Sequence, residues 1–275
     1  MTTIDTGTTD LLLAIDDGVA TITMNRPDRR NALSKSMLEA LGSTLARCEI
    51  DDEVGCVVLR GAGGAFCAGG DVKSMASRPA SDPTGGRGTL ESVIQRQRLS
   101  QRATSGRLWS MGKPTIAALS GPAAGAGLSL ALACDLRYAV PDAILTTAFA
   151  KVGFAGDYGG TWFLTQIVGS ARAKELYLFS EKITAREAEN LGMVNAVIET
   201  NEFDHFVFER ARTLANGPRV AYRYMKENLN RAVGGELGEC MDMEVTHHLH
   251  TSFTEDHREA ARAFVEKRPP VFRGR

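Results

Sequence analysis

The chain has 275 residues, enough for one large domain, or a domain with a helical appendage, around a substantial core. Its 32 lysines and arginines face 33 aspartates and glutamates, and a net charge of -1 excludes a global attraction to nucleic acid or to an anionic membrane. The five cysteines, Cys48, Cys56, Cys67, Cys134 and Cys240, form no C-x-x-C pair; they read as idle thiols of a reducing compartment rather than a zinc or dithiol centre.

The opening MTTIDTGTTD has no basic segment followed by an apolar one, and no apolar run reaches bilayer length, so the expected location is cytoplasmic, without a membrane or nucleic-acid partner. Residues 11–25 carry two apolar runs joined by Asp17-Gly18, a pair suited to a tight hairpin turn. After RPDRRNAL, Ser34 or Ser36 caps a helix whose Met37, Leu38, Leu41 and Leu45 recur at helical spacing. VGCVVLRG follows as a strand. The order then recurs: KPTIAALSG is a strand, PAAGAGLSLALACD turns into a buried small-residue helix, and LRYAV and AILTT are further short strands. Between these units, residues 77–89 (SRPASDPTGGRGT) mark a mobile loop, expected to act as a lid. Thr184 and Glu187 stand in capping-box spacing, Gly192 is placed to end that helix, MVNAVI returns as a strand, and Gly217-Pro218 opens another helix. The alternation predicts an α/β fold with residues 1–200 as the core and 201–275 as a C-terminal helical region.

Two stretches stand out for their bareness. GAGGAFCAGGDVK (residues 61–73) and SGPAAGAGLSLALACD (120–135) each put small residues where a strand gives way to a helix or loop. Small side chains permit close helix packing, but they also let a ligand approach unpaired N–H groups. Neither stretch has the G-x-G-x-x-G fingerprint or the P-loop lysine of a nucleotide site.

RPDRRNALS, GAGGAFCAGGDVK, KPTIAALSGPAAGAGLSLALACD and VGFAGDYGGTW occur in the order and spacing of the crotonase, or enoyl-CoA hydratase/isomerase, superfamily, and ITAREAENLGMVNAVI and AFVEKRPPVFRGR resemble its later segments. The resemblance implies repeated ββα units forming a sheet core, with a C-terminal helical region that assembles homotrimers or homohexamers. It implies an acyl-CoA thioester as substrate, coenzyme A entering only as part of that substrate, and no separate cofactor or metal. Carried over by position, the oxyanion-hole donors are the N–H groups of Gly70 and Ala126. Coenzyme A binding falls on Arg30, Ala32, Ala68, Gly70, Asp71, Val72, Lys73 and Lys267, with Phe149 beside the substrate.

The sequence departs from the hydratases of this superfamily at both of their glutamates, whose positions hold Ser129 and Phe149. The remaining carboxylate in a family position is Asp157, which isomerases and a dehalogenase branch use there. One base can return the proton it takes, whereas adding water needs one group to activate the water and another to deliver a proton, so the expected activity is acyl-CoA isomerisation. Hydration, hydrolysis or dehalogenation with Asp157 as nucleophile, and silent acyl-CoA binding are the alternatives. Ser129 raises the further idea of a serine nucleophile, although no G-x-S-x-G elbow is present. His247 and His250, one helical turn apart, resemble a metal-ligand pair without family support, and Trp162 and Phe163 read as core or acyl-pocket wall.

Overall fold

The structure, a computed structural model, describes residues 1–72, 86 and 88–275. Strand β1 (Thr2–Ile4) pairs antiparallel with β2 (Leu11–Asp16), which returns through Asp17-Gly18 into β3 (Val19–Met24). Both turn residues have positive φ, 45° and 76°, which is why this dipeptide closes the hairpin. Helix α1 (Lys35–Ile50) follows, and Ser34 rather than Ser36 is its cap, its hydroxyl accepting the Met37 N–H at 3.1 Å. Met37, Leu41 and Leu45 on one face of α1 are fully buried.

Strand β4 (Cys56–Gly61), helix α2 (Leu90–Gln101), strands β5 (Thr115–Leu119) and β6 (Ala123–Ala124) and helix α3 (Ala126–Ala133) continue the chain. Then come β7 (Leu136–Ala139), β8 (Ile144–Thr146), α4 (Gly160–Phe179), β9 (Ile183–Thr184), α5 (Ala185–Asn190) and β10 (Ala196–Val197). The main sheet has the order β1-β2-β3-β4-β5-β7-β10 and is parallel from β3 to β10. A second sheet, β6-β8-β9, takes the next strand of successive units, and an isolated bridge from Cys67 to Ala123 extends it toward the loop after β4. The chain thus visits the large sheet, then the small one, then a helix, which is the ββα repeat. Alternation explains α3: enclosed on all sides, its eight residues AGLSLALA are all buried, and small side chains let it fit.

Helix α5 has the expected capping box, with the Glu187 N–H donating to the Thr184 hydroxyl and Glu187 accepting from the Thr184 N–H. Helix α2, in contrast, was not apparent from pattern, because LESVIQRQRLSQ buries none of its residues and so carries no apolar stripe. The last four helices are α6 (Phe203–Ala215), α7 (Arg219–Ala232), α8 (Leu237–Ser252) and α9 (Glu255–Glu266). Helix α6 lies on β3 and β4, with Phe203, Val207, Ala211 and Ala215 in the main core. Lys226 ties α7 to the core, its ammonium donating to the carbonyls of Leu108 and Lys113 and to Asp135 at 2.8 Å. Among the described residues no helix is long and apolar enough to cross a membrane.

Ser34 also donates to Asp10 at 2.5 Å, so one hydroxyl joins the start of α1 to the edge of β2. Ser34→Ala is expected to lower stability by about 1–2 kcal/mol in urea unfolding, as a lost N-cap does.

Candidate active site

The loop after β4 is shaped from outside itself. Asn31, fully buried at φ 55°, donates through Nδ2 to the carbonyls of Ala62 (2.8 Å) and Ala65 (2.9 Å), and its Oδ1 accepts the Arg26 N–H at 2.9 Å. Beyond this clamp the loop meets the β6–α3 turn backbone to backbone. The N–H groups of Phe66 and Cys67 both donate to the Pro122 carbonyl, at 3.1 and 3.2 Å, and the Ala124 N–H donates to the Cys67 carbonyl at 2.9 Å. A Cβ on Gly69, whose φ is +83°, would lie 2.6 Å from the Ala124 carbonyl oxygen and 3.3 Å from the Ala126 nitrogen. The bare sequence is therefore a requirement of contact between two main chains.

That contact leaves two amides over. Among the described residues, neither the Gly70 N–H nor the Ala126 N–H donates to any acceptor, whereas the Gly69 carbonyl accepts from Leu33 (2.8 Å) and the Gly70 carbonyl from Val72 (2.9 Å). Ala126 is the first residue of α3, a position whose amide has no partner within the helix. A Cβ on Gly69, the residue before Gly70, would lie 3.3 Å from the Ala126 nitrogen, so the two unpartnered N–H groups belong to segments in close contact.

Asp157 sits in the turn before α4. The Gly160 N–H donates back to the Asp157 carbonyl at 3.1 Å, and Tyr158, at φ 50°, is held from α2 by its N–H donating to Gln101 Oε1 at 2.7 Å. A Cβ on Gly160 would lie 2.2 Å from Ser129 Oγ and 2.6 Å from the Tyr177 hydroxyl, so the turn lies directly on α3, one helical turn beyond Ala126. The carboxyl oxygen Oδ1 of Asp157 is buried and has no hydrogen-bond partner among the described residues. Burial disfavours the charged form and pushes its pKa from 3.8 up to about 6. A carboxylate with this pKa is a competent base near neutrality.

The other expected residues distribute unevenly. The exposed Arg30 uses its carbonyl to accept the Ala68 N–H at 2.9 Å, and the buried Ala32 carbonyl accepts from Arg26 at 2.6 Å. Arg26 also reaches Asp71, at 3.4 Å, so Arg30, Ala32, Ala68, Gly70, Asp71 and Val72 lie along one edge of the first loop. Phe149, 6% exposed, stacks on Tyr177 with ring centroids 5.8 Å apart. Lys267 is exposed at the end of α9, and among the described residues no hydrogen bond or ion pair ties its side chain to either loop. Lys73, and residues 77–85 and 87 of the expected lid, lie outside the described residues.

Ser129 is 1% exposed and its hydroxyl donates to the Gly125 carbonyl at 3.3 Å, a helix-internal bond that removes it as a nucleophile candidate. His247 Nδ1 is 2.6 Å from Asn228 Oδ1 and its ring stacks on Tyr224, and among the described residues no group of three or more His, Cys, Asp or Glu is placed to hold a metal. Phe163 is core, while Trp162 is half out in solvent and meets Trp109 edge-on at 5.3 Å. Sequence reasoning missed Asn31, Arg26, Gln101 and Tyr177. Asn31 had a signal, since asparagine tolerates positive φ, but Tyr177 lies far along a helix and no local pattern points to it.

Residues 14–275 match the model of the enoyl-CoA hydratase/isomerase family. A "Probable enoyl-CoA hydratase" of Rhodobacter capsulatus is 36% identical, covering 95% of this chain and 96% of its own. The 1,2-epoxyphenylacetyl-CoA isomerase of Escherichia coli is 35% identical, covering 96% and 98%. Among solved structures, an enoyl-CoA hydratase from Bacillus anthracis superposes with a TM-score of 0.88 at 29% identity, over 97% of this chain and all of that one.

Burial of Asp157 has a consequence for stability. Between 3.8 and about 6 the folded chain keeps a proton that the unfolded chain has lost, so stability falls as pH rises through that window and levels off above it. Asp157→Asn is expected to abolish this slope and to raise stability at neutral pH by about 2 kcal/mol, read from urea midpoints at pH values on either side of the window.

Proposed function

The chain belongs to the enoyl-CoA hydratase/isomerase family, and from that premise we propose that it is an acyl-CoA isomerase, moving a proton and with it a double bond within an unsaturated acyl-CoA. The observation that carries the reading is Asp157: a single, partly buried carboxylate whose Oδ1 is buried without a hydrogen-bond partner among the described residues, and which is basic enough to work near neutrality.

In the proposed reaction the thioester oxygen lies between the N–H groups of Gly70 and Ala126. Asp157 takes a proton from the carbon next to the thioester of a 3-enoyl group. The C–H electron pair moves into the chain and the negative charge is delocalised to the thioester oxygen, where the two donors stabilise it. The protonated acid then returns the proton to the far end of the extended enolate, and the double bond ends conjugated with the thioester. Each donor is worth about 3 kcal/mol of barrier by analogy with measured oxyanion holes. The coenzyme A portion lies along the edge formed by Arg30, Ala32, Ala68, Gly70, Asp71 and Val72, with Lys73 and Lys267 as further candidates.

Hydration is the second reading, favoured by the name of the Rhodobacter relative. It needs a second group to activate or deliver water, and the two side chains that would offer one are Phe149 and Ser129, the latter committed to the Gly125 carbonyl. Association into trimers or hexamers is also proposed, through α7 to α9, which expose Leu229, Leu237, Met241, Phe253, Phe264 and Val265.

With 3-enoyl- and dienoyl-CoA esters the product should keep the substrate's mass while its ultraviolet absorbance changes. Asp157→Asn is expected to lower kcat by about 10²- to 10⁴-fold, and full activity in that variant sinks the assignment. Ala126→Pro deletes one donor at the first helical position, where proline is tolerated, and should lower kcat by about 10²- to 10³-fold with little loss of stability.

A further inference from the structure

Two aromatic rings occupy the space that joins the donor loop to the carboxylate turn. Phe149 lies against Gly125, the residue before the Ala126 amide: a Cβ on Gly125 would be 3.8 and 3.9 Å from two atoms of its ring. Tyr177 lies against Gly156, the residue before Asp157, where a Cβ would be 3.2 Å from Tyr177 Cε1. The two rings are nearly parallel, 8° apart with centroids 5.8 Å from one another, so they form a continuous apolar face from one loop to the other. The Tyr177 hydroxyl lies near Ser129, since a Cβ on Gly160 would be 2.6 Å from the one and 2.2 Å from Oγ of the other, and Ser129 donates to the Gly125 carbonyl. The ring edge of Tyr177, Cε1 at 3.2 Å, is nearer to a Cβ built on Gly156 than its hydroxyl at 3.7 Å, so what the side chain sets against the carboxylate turn is mainly apolar.

We propose that the Phe149–Tyr177 pair is a water-excluding wall that keeps water from Oδ1 of Asp157 and so commits this site to proton transfer instead of water addition. A water bound in that space would give Asp157 a hydrogen-bond donor. If it then attacked a 2-enoyl group, its oxygen would bond to the β-carbon as the double-bond pair moved toward the thioester, and its proton would pass through Asp157 to the α-carbon. The wall removes the water from this sequence and leaves the carboxylate to exchange protons with carbon alone. Its solvation also follows: Oδ1 has no partner among the described residues, and burial is what raises the carboxyl's pKa. Among the described residues, Tyr158 and Tyr177 feel the charge of Asp157, and both are shifted upward mainly by burial and so stay neutral at working pH.

Tyr177 acts here as a positioning residue, and the inference rests on the isomerase reading. The test therefore includes a measurement that needs no turnover: the Asp157 carboxyl is titrated by carbon NMR in labelled protein, beside product analysis by mass with 2-enoyl- and 3-enoyl-CoA. In Tyr177→Ala the titration is expected to move from about 6 by about one to two units toward 3.8, and a product one water heavier than the substrate should emerge. Tyr177→Phe and Tyr177→Leu, which keep apolar bulk, should hold the titration near that of the wild type and give no hydrated product. Should Tyr177→Ala lose its cooperative unfolding transition, Phe149→Ala, which removes the other ring, takes its place. An unshifted carboxyl in the folded alanine variant overturns the wall, as does an equal shift in Tyr177→Phe, which would assign the effect to the hydroxyl. Wild-type protein inert toward every ester but with a carboxyl that shifts only in the alanine variant would instead retire the isomerase reading and keep the wall.

Discussion

The structure turns on main chain meeting main chain where the loop after β4 crosses the turn before α3. Pro122 offers one carbonyl to two successive amides, and Cys67 returns a carbonyl to Ala124, so the loops are stitched by peptide groups with no side chain between them. Such contact demands residues without bulk, and it uses up most of the local donors. The amides of Gly70 and Ala126 are what is left among the described residues, and for Ala126 the reason is that a helix cannot satisfy its first N–H. Small-residue composition and donor placement are thus two results of one packing constraint.

The same constraint governs α3. A helix pressed between two sheets and a second helix has no solvent face, and AGLSLALA meets this with alanine, glycine and leucine around its whole circumference. The one hydroxyl within it, Ser129, donates to the Gly125 carbonyl and sits near the Tyr177 hydroxyl across Gly160. Polar groups at this depth are tolerated when they find a partner, and for Ser129 that partner is the backbone of its own helix start.

Asp157 is the exception to that rule. Its buried Oδ1 lacks a hydrogen-bond partner among the described residues, which is unfavourable for the fold and useful for chemistry, since a desolvated carboxylate holds a proton more firmly and exchanges it nearer neutrality. The surrounding turn is over-determined to keep it there: Tyr158 adopts a positive φ and is held by Gln101 from a different helix, and Gly160 leaves no gap against α3. Helix α9 is held by the residues that follow it. The buried Asp256 accepts the N–H groups of Arg273 and Gly274, and Glu259 pairs with Arg268, so the outermost helix keeps its form while offering Phe264 and Val265 to solvent.

Much of this was legible in one dimension because its causes are local. Asp17-Gly18 closes a hairpin through backbone dihedrals, Thr184 and Glu187 cap a helix three residues apart, and runs of glycine and alanine announce close approach before anything is known of what approaches. Family motifs in order supplied the ββα repeat and pointed to Gly70, Ala126 and Asp157. Helix α2 stayed hidden because it buries no residue, and the choice of Ser34 over Ser36 as cap was a matter of geometry. What only the tertiary structure decided lies between segments distant in sequence: Asn31 shaping a loop thirty residues on, Gln101 holding Tyr158, and Tyr177 stacked on Phe149. Neither burial nor the lack of a bonding partner is a property of Asp157 as a letter; both come from the elements folded around it, and they set its proton affinity.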